Sequence, residues 1–376
     1  MRLLAKSEPR CKQLNRVTEI ISEEITHRGA ITLARFMELA LYCPIYGYYE
    51  REQDTIGRRG DYYTSVSVGA LFGELLAWQF AEWLGASRPG GVTSQLVEAG
   101  AHDGRLAIDI LSWLREKRTA LYEKLEYWIV EHSALRRASQ ERELSDFAGK
   151  VHWASGFEQM CNIRHSRTTG VIFSNELLDS FPVHRLGWDA KQQVWFEWGV
   201  SLRDGRFTWV RVPASTNVEQ AFKSTHDLPD EFTIERCPEA EQWWRTAAGA
   251  LEHGRLLTFD YGYTANEILL CERTQDTLRA FRQHHQSADL LAAPGEQDLT
   301  AHVNFSALQA AGEAAALTTQ AFLSQEEFLT QIFTQVANGE SDFGDWSQQR
   351  TRQFQTLVHP EHLGRVFRVL VQARLP

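Results

Sequence analysis

The period of apolar positions changes along the chain. Residues 16–29 carry Val17, Ile20, Ile21 and Ile25 at helical spacing, and Thr32 reads as the N-cap of a second helix bearing Leu33, Phe36, Met37 and Leu41. Pro44 and Gly47 stop that helix, residues 57–61 form a glycine-rich loop, and residues 68–84 resume amphipathic spacing through Leu71, Leu75, Leu76, Phe80 and Trp83. The pattern then shortens. Gln95-Leu-Val-Glu98, Tyr127-Trp-Ile-Val-Glu131, Gly170-Val-Ile-Phe-Ser-Asn175 and Arg255-Leu-Leu-Thr-Phe259 are brief apolar runs, separated by helical spacing near 106–114, 134–147 and 239–252. Strands alternating with helices predict βαβ units, hence a parallel sheet with helices on both faces. Val194-Trp-Phe-Glu-Trp198 and Phe207-Thr-Trp-Val-Arg211 flank Asp204-Gly205, a hairpin signal, and Val366-Phe-Arg-Val-Leu-Val371 reads as a last strand.

Composition narrows the picture. With 376 residues, 43 % apolar and 23 % charged, the chain holds one large α/β domain with additions or two domains, and wholesale disorder is not expected. A net charge of −10 argues against a nucleic-acid partner and is compatible with a cationic substrate. The five cysteines are scattered without a C-x-x-C pair, so neither a disulfide framework nor a zinc site is expected, and a reducing compartment follows. Residues 1–17 lack the apolar stretch of a secretory signal, and no run of eighteen apolar residues occurs. The expectation is a soluble intracellular enzyme without membrane insertion.

Two turns carry candidate chemistry. Leu96-Val-Glu-Ala-Gly-Ala-His-Asp-Gly-Arg-Leu106 sits where a strand hands over to a helix, and open parallel sheets bind ligands there. Gly100 lets the turn tighten, Gly104 lets backbone approach a ligand, and the helix N-terminus favours a carboxylate. Glu131, ending the second strand, is placed to hold ribose hydroxyls. The plain alternative is an ordinary β-to-α turn with Glu131 as a solvated strand end. The incomplete G-x-G-x-x-G pattern counts against a nicotinamide oxidoreductase, which shares the sheet logic. Asn175, Glu176 and Asp179 converge past the third strand, where paired carboxylates hold a guanidinium through bidentate hydrogen bonds and one serves as base. The plainer alternative, which spacing alone favours slightly, is a helix N-terminus with acids favoured by its dipole. Adjacent His284-His285 diverge on a helix, so no catalytic metal is expected. Asp260 is either a polar pocket group or a turn former, the Trp195, Trp198 and Trp209 cluster reads as hairpin packing, and His302 alone reads as a core histidine.

Seven ordered blocks span nearly the whole chain: Phe36-Met37 with Ala40-Leu-Tyr42, Pro44 and Gly47-Tyr-Tyr49; Gly60-Asp-Tyr-Tyr-Thr-Ser65 with Leu71-Phe-Gly-Glu74; Glu98-x-Gly100-x-x-x-Gly104-x-Leu106; Asn175-Glu-Leu-Leu-Asp179 with Phe181-Pro-Val183; Asp260-Tyr-Gly262; Thr277-Leu-Arg279; and Pro294-Gly295 with Gln297-Asp-Leu-Thr-Ala-His-Val303. On these blocks the chain resembles the MidA family, whose mitochondrial members are complex I assembly-factor methyltransferases. The resemblance implies a class I, Rossmann-like α/β fold with a mostly parallel seven-stranded sheet. It places an N-terminal helical region over residues 1–90, covering the cofactor site. The core would span 91–376, with a β-hairpin excursion at about 183–215 and a helical insertion at about 276–350.

The resemblance implies S-adenosyl-L-methionine as cofactor and a protein arginine as acceptor, such as that of a respiratory-complex subunit. Carried over by position, Gly60, Asp61, Tyr62 and Thr64 close over the cofactor. Glu98, Gly100, Ala101, Gly104 and Leu106 border it, Glu131 and His132 take its ribose side, and Asn175 and Glu176 its reacting end. Glu176 and Asp179 would face the acceptor, with Asp298, Thr300 and His302 on a loop nearby; Glu176, Asp179 and His302 are the catalytic candidates. His102 departs from the family, which has glycine midway in this turn, and favours a second reading as an assembly or binding module. The implied location is the bacterial cytoplasm, or the mitochondrial matrix for a eukaryotic chain.

Overall fold

The computed structural model describes residues 15–50, 64–86, 94–214, 228–268, 277–282, 285–338 and 343–375. Two capped helices open it. The Asn15 side chain accepts the Thr18 amide to cap Arg16–Arg28, and Thr32 accepts the Arg35 amide to cap Leu33–Tyr42. Between them Ile31–Thr32 forms a short strand, β1. Val17, Ile21 and Ile25 of the first helix bury against Phe36, Met37 and Ala40 of the second. The helix Leu71–Ala86 follows, burying Leu71, Phe72, Leu75, Leu76 and Phe80 under the main sheet.

The apolar runs become strands Ser94–Ala99 (β2), Leu125–Val130 (β3), Val151–Ala154 (β4) and Thr168–Asn175 (β5). They are parallel and lie in the order β4-β3-β2-β5, with helices Arg105–Lys117, Ala134–Glu143 and Phe157–Arg164 in the crossovers. Every residue of β2 is buried, as a strand covered on both faces requires. The chain steps outward from β2 to β4 and then returns to place β5 on the other side of β2. The C-terminal ends of β2 and β5 therefore flank the point where strand order reverses, which is where such sheets bind ligands.

The expected hairpin excursion is larger than a hairpin. His184–Asp189 (β6), Val194–Arg203 (β7), Arg206–Pro213 (β8) and Thr233–Arg236 (β9) join β1 in an antiparallel five-stranded sheet. Asp204 and Gly205, at φ +50° and +72°, form its tight turn, and Trp198 and Trp209 pack across it with ring centroids 6.5 Å apart.

The helix Pro238–Ala250 leads to Leu251–Tyr263 (β10), parallel to β5. The stretch expected as a helical insertion is mixed. Arg279–Arg282 (β11), His285–Gln286 (β12) and Asp298–Thr300 (β13) form a three-stranded sheet, and Val303–Asn304 (β14) lies beside β10. Helix Phe305–Ala314, strand Thr318–Ser324 (β15) and helices Gln325–Asn338 and Gln348–Leu357 follow. Phe367–Arg374 (β16) inserts antiparallel between β15 and β10. The main sheet thus runs β15-β16-β10-β5-β2-β3-β4, seven strands with the two-residue β14 as an eighth.

Candidate functional site

A cavity of about 1190 Å³ opens over the reversal point. Turns after β2, β3, β4 and β5 make its floor. Tyr42, Tyr49 and Glu50 from the N-terminal region, Thr64 and Ser67, and the helix Pro238–Ala250 make its walls.

The turn after β2 is held in shape by its own backbone. The Gly100 amide donates to the Val130 carbonyl at 3.1 Å, and the Gly104 amide to the Ala101 carbonyl at 2.7 Å. Gly100, His102 and Gly104 have φ of +72°, +47° and +81°, so three alternate residues are left-handed. His102 keeps the conformation a glycine would supply. Its carbonyl accepts from Gln140 Nε2 at 2.9 Å, and its side chain lines the cavity with a quarter of its surface exposed. Glu98, Ala101 and Leu106 also line it, whereas Gly104 caps the helix Arg105–Lys117 outside the cavity wall. Glu98 is buried and accepts the Tyr127 hydroxyl at 2.6 Å; burial pushes its carboxyl up to about 7 against the pull of that bond. Left-handed backbone costs a residue with a Cβ about 1–2 kcal/mol, part of which glycine returns through unfolded-chain entropy. His102→Gly is therefore expected to raise stability by roughly 0.5–1 kcal/mol and to tighten cofactor binding. Thermal melts and calorimetry check both.

Past β3, one oxygen of buried Glu131 accepts the Ser133 amide at 3.0 Å, which fixes the carboxyl at the strand end. The Ser133 hydroxyl donates to Glu50 at 2.9 Å, His132 lies 3.6 Å from the same carboxylate, and Arg136 Nε donates to the Tyr49 carbonyl at 2.8 Å. The N-terminal region is thereby stitched to this turn. Buried Thr64 receives the Ser67 amide at 3.1 Å and lines the cavity, while Gly60, Asp61 and Tyr62 lie outside the described residues. Ser155, Gly156 and Phe157, after β4, also line the cavity. The sequence reading missed them because β4 is four residues long and its turn carries no charge; the Ser-Gly pair was the available signal.

Past β5 the turn is strained and under-satisfied. Glu176 has φ +50° and is pinned by its amide to the Phe259 carbonyl at 2.9 Å. Asn175 Nδ2 donates to Glu176 Oε1 at 3.1 Å, while Asn175 Oδ1 and Glu176 Oε2 are buried with no hydrogen-bond partner among the described residues. Burial and then Asp179 push the Glu176 carboxyl up to about 8, with Asn175 and the Ser65 amide pulling the other way.

Behind this turn lies a second layer of acids. Fully buried Asp260 accepts the Leu178 and Tyr261 amides at 2.8 and 2.9 Å, so it forms and anchors the turn. Asp298 accepts the Tyr49 hydroxyl at 2.7 Å. Asp179 was expected to face an acceptor, but it is buried in this layer and does not line the cavity. Burial, Asp260 and Asp298 hold its carboxyl well above the usual range. His302 is also outside the cavity wall, packed with ring centroids 6.3 Å from Tyr261 and 4.8 Å from Tyr263.

The donor set fits an S-adenosyl nucleoside with an amino-acid tail. Glu131 suits a ribose diol, Phe157 offers a ring to a flat base, and the helix N-terminus after the glycine turn suits a carboxylate. The orphaned oxygens of Asn175 and Glu176 are buried acceptors of the kind a ligand completes.

Comparison with known proteins agrees with this fit. A family model described as S-adenosyl-L-methionine-dependent methyltransferase matches residues 75–323. The human mitochondrial protein arginine methyltransferase NDUFAF7 is 28 % identical over 374 residues, covering 92 % of this chain and 80 % of that protein. Its Drosophila melanogaster homologue is 31 % identical over 304 residues, covering 75 % and 66 %. A structure from Burkholderia thailandensis bound to S-adenosyl-homocysteine superposes with TM-score 0.81 at 30 % identity, over 95 % of this chain and 92 % of that one. A native structure from the same organism gives 0.80 at 31 % identity, over 95 % and 91 %. The chain therefore belongs to the MidA family of S-adenosyl-L-methionine-dependent methyltransferases.

Proposed function

We propose that this chain methylates an arginine side chain of a protein, with the cofactor in the switch-point cavity and Glu176 facing the acceptor. The observation that carries this reading is Glu176 itself, on left-handed backbone just past β5, with one buried carboxylate oxygen that has no hydrogen-bond partner among the described residues. Its surroundings suit a cation. Among the described residues the cavity wall holds seven acids and three arginines. The arginines are engaged: Arg105 with Asp109 at 3.4 Å, Arg136 with the Tyr49 carbonyl, and Arg245 with Gln242 Oε1 at 3.2 Å.

When bound, S-adenosyl-L-methionine supplies an electrophilic methyl group. Glu131 and the glycine turn fix the nucleoside and tail. Glu176 pairs with the guanidinium, orients one nitrogen and takes the proton that nitrogen releases. Asp260 holds the turn that carries Glu176, acting as a positioning residue. The relatives' names, which state protein arginine methyltransferase, support the acceptor class. A respiratory-complex subunit as acceptor, met in bacterial cytoplasm or mitochondrial matrix, rests on the family resemblance alone.

Incubating the protein with methyl-labelled cofactor and a cell extract, then hydrolysing the labelled proteins, tests the reading. Label in methylarginine is the expected outcome. Label confined to lysine, glutamine or small molecules overturns it, and saturable cofactor binding without transfer favours the assembly-module alternative that His102 suggested.

A further inference from the structure

The cavity is larger than one small ligand needs. At about 1190 Å³ it exceeds the roughly 300–1,000 Å³ of ordinary small-molecule pockets. Its far wall is one face of the helix Pro238–Ala250. Glu239, Gln242, Trp243 and Thr246 recur there at helical spacing and line the cavity together with Pro238 and Arg245, whose guanidinium is held by Gln242 and Glu241, while Ala240, Trp244, Ala247 and Ala248 bury against the sheet. Half-buried Trp243 is wedged by Phe157 and Phe181, with ring centroids at 5.5 and 6.4 Å and planes at 62° and 88°.

Glu239 stands one turn before Trp243 on the same stripe. It is exposed, and among the described residues no Lys or Arg lies within ion-pair distance. The neighbouring His184 ring is already bonded to Glu197 at 2.7 Å. A free carboxylate and an indole ring one turn apart supply the two halves of a cation receptor, an ion pair and a cation–π face.

We infer that the Glu239–Trp243 stripe is a second cation subsite, which receives a basic side chain flanking the methyl-accepting arginine of the protein substrate. This rests on the reading of the cavity as a site for peptide arginine. The substrate class narrows accordingly to segments carrying at least two basic residues, one for Glu176 and one for Glu239.

The test is calorimetric titration of the protein, with S-adenosyl-homocysteine present, by two peptides sharing a central arginine. One carries further arginines at alternate flanking positions, and the other has uncharged citrulline at those positions. The multiply basic peptide is expected to bind at least about tenfold tighter. Glu239→Gln and Trp243→Leu are each expected to erase that preference, and the exposed Glu239→Gln is expected to leave the affinity for the citrulline peptide and for S-adenosyl-homocysteine unchanged. Glu239 is exposed, so its variant keeps the fold, which a thermal melt checks. Equal affinities in the unaltered protein overturn the subsite, as does a preference that survives Glu239→Gln or an absence of binding by both peptides. The two readings separate cleanly. Methyl transfer to the central arginine without any flanking preference leaves the arginine reading standing and removes the subsite. A Glu239-dependent preference without methyl transfer does the reverse.

Discussion

Glu176→Gln is expected to lower methyl transfer by about 10²–10⁴-fold, the range that a positioned acid or base contributes. The substitution keeps the shape and the bond from Asn175 Nδ2 but removes the charge that pairs with a guanidinium and the group that takes its proton. The pH profile gives an independent readout. The free carboxyl sits at about 8, so kcat/KM should rise with pH through that value, and the limb should vanish in the glutamine variant. A profile unchanged by the substitution would remove Glu176 from the chemistry.

The same carboxyl acts on stability with a definite sign. Its folded value is raised from the ordinary 4.5 to about 8, so between those values the native state holds a proton that the unfolded chain has released. That contribution is fully present below about 4.5, declines as pH rises, and is lost above about 8. Asp260 at about 8 and Glu98 at about 7 act in the same direction. Urea unfolding should therefore show stability falling from pH 5 to 8.5, with a shallower fall in Glu176→Gln. A bound guanidinium offsets the penalty by stabilising the ionised form, so strain at this turn is consistent with a site built for a cation.

Legibility followed element length and burial. β2, β3, β5 and β10 were readable because strands covered on both faces are continuous apolar runs, and the glycine turn and Glu131, which line the cavity, each follow the end of such a run. β4, β9, β11, β12, β13 and β14 have two to four residues each, too few to establish a period. The shortness of β4 hid Ser155 to Phe157. Asp179 lies away from the cavity wall for another reason. It shares a motif with Glu176, but the 3₁₀ turn Leu178–Ser180 carries it behind the cavity wall, where Asp260 and Asp298 meet it from 81 and 119 positions downstream. No local spacing encodes a cluster assembled from three such distant segments. The stripe Glu239–Trp243 was visible as helix, but only the fold shows that its polar face looks into a cavity rather than open solvent.

Gly100→Val should abolish cofactor binding at ordinary concentrations, raising the Kd by at least about 100-fold, or roughly 2.8 kcal/mol. Two effects combine. At φ +72° a residue with a Cβ already pays about 1–2 kcal/mol, and a β-branched side chain is worse placed still. The turn cannot relax freely, because the Gly100 amide is bonded to Val130 and the next turn of chain to Ala101. An added Cβ would also stand 2.7 Å from Leu177 Cδ1. Leu177 can swing away, but it lines the cavity, so it moves into the space the cofactor needs. Calorimetry with S-adenosyl-homocysteine measures the loss, and a thermal melt separates it from unfolding. A variant that stays folded and keeps wild-type affinity would show that the cofactor does not lie against this turn. The glycine would then serve only the packing of β2 onto its helix, and the assignment of Glu131 to the ribose would fall with it, since both lie on the same stretch of cavity floor.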